Sequence, residues 1–99
     1  MDMRIELNKF GTTLLSRQSG KEALAAFQPS LQGFSQDERV GVSFAGVTTF
    51  SPSWGDEFLS PLQEKYGENL ILHTSANPSV VATLEFLEEV RGFHFTRER

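Results

Sequence analysis

The sequence contains no cysteine, no long apolar run and no cluster of basic residues outside its last few positions. Without cysteine the chain cannot form disulfides, bind metals through thiolates or use a cysteine nucleophile, which fits a reducing compartment. The formal net charge of -4 gives no attraction for nucleic acid or an anionic membrane surface. The apolar runs are far shorter than the ~20 residues that span a bilayer. We therefore expect neither nucleic acid nor a membrane as a partner.

The N-terminal segment MDMRIELNKF lacks the basic-then-apolar order of a secretory signal peptide. We therefore expect a cytoplasmic protein. A length of 99 residues predicts one domain over residues 1–99, which buries roughly 60–70% of the surface that its unfolded chain exposes. Two histidines without ligand spacing predict no metal site, and no motif predicts a cofactor. The oligomeric state is not predicted by any feature of the sequence.

Four segments have the pattern of β-strands. Met3 to Leu7 alternates apolar and polar residues, which predicts an edge or near-edge strand. Val40 to Phe44 alternates large apolar with small residues and predicts a central strand. Asn69 to Thr74 has three apolar residues in a row, as expected for a buried, parallel strand. Thr12 to Leu15 is predicted to be a short extended piece.

Three helix starts alternate with these strands. Ser19 to Glu22 has the sequence of a capping box, Ser51-Pro52 places a hydroxyl cap before proline, and Asn77-Pro78 does the same with an amide. Ser53 offers a competing cap for the second helix, one step later. Apolar residues predicted to face the core are Ala23, Leu24 and Phe27 in the first helix, Trp54, Phe58, Leu62 and Tyr66 in the second, and Val80, Val81, Leu84, Leu87 and Val90 in the third.

The alternation of strands and helices predicts a small α/β layer fold, with a mixed or parallel sheet of about four strands and helices packed on it. In open sheets of this kind, ligands and partners meet the carboxyl ends of the strands. The loop Thr48 to Ser53 falls at that edge. The last residues, Phe93 to Arg99, are either a terminal strand or a tail that docks on a partner.

The serine at the start of the second helix, Ser53, has three possible roles: binding, phosphorylation, or capping the helix at ~1 kcal/mol. A phosphate there would meet free backbone N–H groups and the positive end of the helix dipole. Arg17 could close on that phosphate, whereas in the unmodified protein it could pair with Asp56 or Glu57. The alternative for Arg17 is a plain surface salt bridge. Trp54 is either a core anchor or an exposed contact for a partner.

The segments FGTTLLSRQSGKEAL and VSFAGVTTFSPSWGDEFL resemble the STAS-like family of bacterial proteins of unknown function, over about Met3 to Val90. That family is related in fold to the STAS domains of anti-sigma-factor antagonists and of sulfate-transporter tails, which carry a pattern like D-x-S-G-V-x-x-I-D-S-S-G-L. Ser53 matches the serine of this pattern. Ser43 and Ser51 stand where acidic residues are common, and Ser53-Trp54-Gly55 replaces the small S-G-L.

In the antagonists, the matching serine is phosphorylated by a kinase of the histidine-kinase-like ATPase fold that is also the anti-sigma factor, and phosphorylation releases the partner. The resemblance therefore implies a non-catalytic interaction module of bacterial signalling, whose partner is such an ATPase or another serine kinase. The candidate phosphorylation or contact residue is Ser53, and the candidate partner-binding residues are Arg17, Ser51, Trp54, Asp56 and Glu57. The alternative function is the binding of a small molecule or anion at the same edge.

An enzymatic function would need a nucleophile, a base and an oxyanion site within reach of one another. His73, near a strand end, is the one base that could meet Ser53, but a lone histidine is more often structural, and no G-x-S-x-G elbow is present. We therefore expect that this protein is not an enzyme.

Overall fold

Four parallel strands form the main sheet of the computed structural model, which describes residues 2–98. The strand order is β1-β3-β5-β6, and a second, two-stranded parallel sheet pairs β2 with β4. The elements follow one another as β1 (Met3–Glu6), β2 (Thr13–Leu14), α1 (Arg17–Leu31), β3 (Val40–Ser43), β4 (Thr49–Phe50), α2 (Pro52–Tyr66), β5 (Leu70–His73), α3 (Pro78–Arg91) and β6 (Thr96–Glu98). The predicted α/β layer fold is confirmed, and its sheet is parallel throughout.

All three helices pack on one face of the main sheet. Each crossover between neighbouring strands passes through a helix and advances in the same direction across the sheet, and crossovers of this kind are right-handed. One row of the register shows the result, because Ile5, Val42 and Leu72 lie side by side and are buried. Arg97 occupies the same row on the edge strand β6. Strand β1 is the opposite edge, as predicted, and β3 is central.

Helix α2 lies between α1 and α3 and supplies the largest part of the aromatic core. Its predicted stripe is confirmed, because Trp54, Phe58, Leu62 and Tyr66 are all buried. The backbones of α1 and α2 approach closely at Gly20, where an added Cβ would lie 2.6 Å from the Trp54 carbonyl oxygen. Within residues 2–98, no helix has the length and the apolar character that crossing a bilayer requires.

Hydrogen bonds from two neighbouring elements fix the chain before α2. The Ser51 N–H donates to the Leu14 carbonyl at the end of β2. The Asn77 side chain, at the cap of α3, donates to the carbonyls of Val47 and Thr48 at 3.0 and 2.9 Å. The hydroxyl of Ser79 accepts from the β4 backbone at 2.8 Å and donates to it at 3.0 Å. The start of α2 is therefore held from both sides.

Two helix predictions are wrong. Helix α1 begins at Arg17, one turn before the predicted capping box, because Ser16 is the cap and its hydroxyl accepts from the Ser19 N–H at 3.0 Å. In α3, Val81 and Val90 are 39% and 60% exposed, because only the narrow stripe of Val80, Leu84 and Leu87 reaches the core. Within the predicted C-terminal segment, Thr96–Glu98 form the strand β6, as one of the two predicted alternatives had it, and Arg99 lies outside the described residues.

Candidate functional site

The cap of α2 is Ser51, as the sequence predicted. Its hydroxyl accepts from the Trp54 N–H at 3.2 Å and donates to the Leu15 carbonyl, and Pro52 occupies the first helical position, where no N–H is needed. The competing cap at Ser53 is therefore wrong, since Ser53 lies inside the first turn of the helix. Of the three roles predicted for Ser53, capping is therefore excluded, and binding and phosphorylation remain.

Ser53 is half-buried and lines a shallow concavity of about 170 Å³ between α1, the start of α2 and the second half of α3. Within residues 2–98, its hydroxyl forms no hydrogen bond. The other residues that line the concavity are Arg17, Pro52, Asp56, Phe86, Leu87, Val90 and Arg91. The structure therefore brings together three residues that the sequence predicted, Arg17, Ser53 and Asp56.

Asp56 is the centre of a charged network that joins the three helices. Arg91 binds its carboxylate in bidentate fashion, with Nε at 2.8 Å and Nη2 at 2.7 Å. Arg17 Nη1 donates to the same carboxylate at 3.1 Å and to Glu57 at 2.7 Å, which confirms the pairing predicted for the unmodified protein. The Ser60 hydroxyl adds a fourth hydrogen bond at 2.8 Å.

This network holds its members in their charged forms. Hydrogen bonds from Arg91, supported by Ser60 and Arg17, keep the pKa of the Asp56 carboxyl well below its usual range, although burial opposes them. Bonds to Glu57 and Asp56 raise the pKa of Arg17, and the bond to Asp56 raises the pKa of Arg91. The side chain of Asp56 is only 10% exposed, whereas those of Arg17 and Arg91 are 55% and 46% exposed. Both guanidinium groups are thus anchored on one side and open to solvent on the other.

Trp54 is a core residue and not a surface contact. It is 1% exposed, and its ring stacks on Phe58 with centroids 5.0 Å apart. Phe10 and Phe50 lie against it at centroid distances of 6.0 and 5.8 Å. A partner cannot reach this side chain in the folded protein, so Trp54 is excluded from the contact residues.

Two exposed apolar side chains line the same concavity, a third belongs to a residue whose backbone bonds to the cap of α2, and the sequence did not single them out as contact residues. Phe86 and Val90 line the concavity at Ser53 and are 51% and 60% exposed. Leu15 is 47% exposed, and its carbonyl accepts the hydrogen bond from Ser51. The core-facing stripe predicted for the third helix included Val90 and left out Phe86, and no pattern marked either residue as part of a contact surface. We name the combined set the Ser53 surface: Leu15, Arg17, Pro52, Ser53, Phe86, Val90 and Arg91.

The structure does not bring His73 to Ser53. His73 does not line the concavity of Ser53, and its Nε2 atom lies 3.2 Å from where a Cβ on Gly41 would stand. Among residues 2–98, no three histidine, aspartate or glutamate side chains are grouped in a way that could hold a metal ion.

Comparisons of the chain with protein-family models, with curated proteins and with solved structures found no match.

Proposed function

We propose that this protein is a non-catalytic interaction module that binds a protein partner through the Ser53 surface, under the control of phosphorylation at Ser53. One observation carries the proposal. Of the four large hydrophobic side chains exposed within residues 2–98, two, those of Phe86 and Val90, line the concavity at Ser53, and a third belongs to Leu15, whose backbone carbonyl bonds to Ser51 at the cap of α2. Apolar side chains gathered among polar groups are typical of protein-binding surfaces, and arginine is enriched at the residues that dominate binding.

The shape of the surface favours a protein over the alternative, a small molecule. Small-molecule pockets enclose roughly 300–1,000 Å³, whereas the concavity at Ser53 encloses about 170 Å³. A second concavity, which touches Trp54, has about 300 Å³ and a rim that includes Ser19 and Glu22. The concavity at Ser53 is thus smaller than a typical ligand pocket, whereas the second one reaches the lower end of that range.

Ser53 is suited to be a charge switch on this surface. Phosphorylation would add about −1.5 to −2 charge units within the first turn of α2, where the helix dipole favours an anion. Both bonds that Arg17 makes to the carboxylates leave from Nη1, so its other donors could bind the phosphate. Asp56 and Glu57 lie three and four residues further along the same helical face and would repel it. A partner that fits the unmodified surface would therefore meet a different charge after modification.

The resemblance to the STAS-like family supports the same proposal. It implies a bacterial signalling role in the cytoplasm, in which the partner is a histidine-kinase-like ATPase or a serine kinase. Ser53 would be the modified residue, and Arg17, Ser51, Asp56 and Glu57 would shape the contact. The STAS-like assignment itself is part of the proposal.

The test compares baits that differ at one serine. Wild-type protein, Ser53→Ala and Ser53→Asp are used to recover partners from a lysate of the source organism, and mass spectrometry identifies the proteins and any phosphate on Ser53. Ser30→Asp adds the same charge to an exposed serine of α1 and is the matched control. We expect one shared partner for wild type, Ser53→Ala and Ser30→Asp, and a loss of about tenfold or more for Ser53→Asp. Equal recovery with Ser53→Ala and Ser53→Asp would refute the switch, and the absence of any partner would refute the interaction.

A further inference from the structure

The exposed side of α3 carries a line of apolar side chains that the core does not use. Phe86 and Val90 stand one helical turn apart and are 51% and 60% exposed. Ala82, one turn earlier, is also exposed. From Ala82 to Val90 the line extends about 12 Å along the helix axis. We name these three residues the α3 line.

The two edges of the α3 line present different charged groups. Along one edge lie Arg17 and Arg91, half-exposed and anchored by Asp56. Along the other lie Glu85 and Glu89, both exposed. Each of these glutamates directly precedes Phe86 or Val90, so it stands about 100° around the helix from its apolar neighbour. A partner on this surface therefore meets exposed guanidinium groups, whose charges Asp56 and Glu57 balance, on one side and exposed carboxylates on the other.

We infer that the partner docks an amphipathic helix on the α3 line, with apolar side chains on Phe86 and Val90, acidic residues toward Arg17 and basic residues toward Glu85 and Glu89. A helix laid along the α3 line would present its own apolar side chains at intervals of three and four residues, and these intervals match the spacing of Ala82, Phe86 and Val90 on α3. A partner strand would pair with one of the free edges of the main sheet, β1 or β6, and not with the face of a helix. The inference rests on the proposed function and deepens it by naming the form and charge pattern of the partner.

The experiment uses two synthetic helical peptides and the full chain labelled with ¹⁵N. The probe peptide has leucines at intervals of four residues, glutamates along one edge and lysines along the other. The control peptide has the same leucines and lysines along both edges. Binding is followed by amide chemical shifts. Phe86→Ser tests the α3 line, and Val81→Ser removes an exposed apolar side chain from a different part of the same helix, lining another concavity.

We expect the probe peptide to shift the amides of Ser53, Phe86 and Val90, and to bind more tightly than the control peptide. Phe86→Ser should weaken binding about tenfold or more, as substitution of a central anchor does, while Val81→Ser should leave it within about twofold. Absence of saturable binding, shifts centred elsewhere, or equal effects of Phe86→Ser and Val81→Ser would overturn the inference. Self-association of the free chain that Phe86→Ser abolishes would also overturn it, because a second copy would then be the occupant.

Failure of this inference can be told apart from failure of the proposed function. A peptide that docks on the α3 line equally well with Ser53→Asp supports the helix and refutes the switch. A cellular partner that distinguishes Ser53→Asp from Ser53→Ala, with no peptide binding at α3, supports the switch and refutes the helix.

Discussion

Replacing Asp56 with alanine should destabilise the protein more than replacing any other charged residue of the site. The carboxylate accepts four hydrogen bonds, two from Arg91, one from Arg17 and one from Ser60. Its side chain is only 10% exposed, and Ser60 is 4% exposed. Without the carboxylate, water can solvate the two half-exposed guanidiniums, but the buried Ser60 hydroxyl loses its acceptor. We expect Asp56→Ala to lower the free energy of unfolding by about 2 kcal/mol.

The matched control is Glu57→Ala, which removes the neighbouring carboxylate from the same arginine. Glu57 accepts one bond from Arg17, and its side chain is 28% exposed, so solvent screens the pair and the loss should be small. Urea denaturation of both variants and wild type measures the difference. An effect of Asp56→Ala no larger than that of Glu57→Ala would refute the role given to Asp56.

The Asp56 network also predicts a dependence on pH. The pKa of Asp56 is lower in the folded protein than its ordinary value, which is about 4 in an unfolded chain. The unfolded state therefore binds the proton first, and the contribution of Asp56 to stability is complete above about pH 5 and declines as the pH falls below about 4. The difference in the free energy of unfolding between wild type and Asp56→Ala should therefore shrink as the pH falls below about 4. A difference that stays constant down to pH 2 would contradict the lowered pKa.

Four further substitutions test the structure. Gly20→Ala should destabilise the chain by about 1–3 kcal/mol in thermal denaturation, because its Cβ would clash with a backbone carbonyl of α2 at 2.6 Å; unchanged stability would contradict the close approach of α1 and α2. Ser51→Ala should lower the free energy of unfolding by about 1 kcal/mol and Ser53→Ala by much less, since only Ser51 caps α2. If urea denaturation shows a larger loss for Ser53→Ala than for Ser51→Ala, Ser53 is the cap. Thr83→Val should lower the free energy of unfolding by about 1 kcal/mol, because the buried hydroxyl donates to a β4 carbonyl at 2.7 Å. Unchanged stability in urea denaturation would show that this hydrogen bond does not stabilise the fold.

The order and type of the elements could be predicted from the sequence because each depends on local patterns. Alternation in Val40 to Phe44 and the apolar run at Leu70 to Leu72 are enough to identify two strands, and the apolar run favours parallel pairing, although the sheet was predicted only as mixed or parallel. Ser51-Pro52 and Asn77-Pro78 mark helix starts by their chemistry alone. The start of α1 was predicted wrongly because Ser16 and Ser19 are equally good hydroxyl caps. Their hydroxyls bond to each other at 2.8 Å, and local chemistry does not choose between them.

The candidate site could be predicted only in part, since it depends on tertiary packing. Arg17 and Asp56 are distant in the sequence, and the pairing of Arg17 with Asp56 or Glu57 was predicted only from their opposite charges, as one of several alternatives. The contribution of Arg91 was missed, because no local pattern shows that the end of α3 reaches the start of α2. Val90 was assigned to the core because an apolar residue at helical spacing looks the same whether it faces the sheet or solvent.

Site-specific photo-crosslinking in the source organism tests the central claim, that the Ser53 surface contacts a protein partner. A photoreactive amino acid is placed at Val90, on the surface, or at Gln28, an exposed position of α1 outside it. The account predicts that the probe at Val90 forms a covalent adduct with one cellular protein, which Ser53→Asp diminishes, and that the probe at Gln28 forms none. Adducts with the same protein from both positions, or from neither, would contradict it.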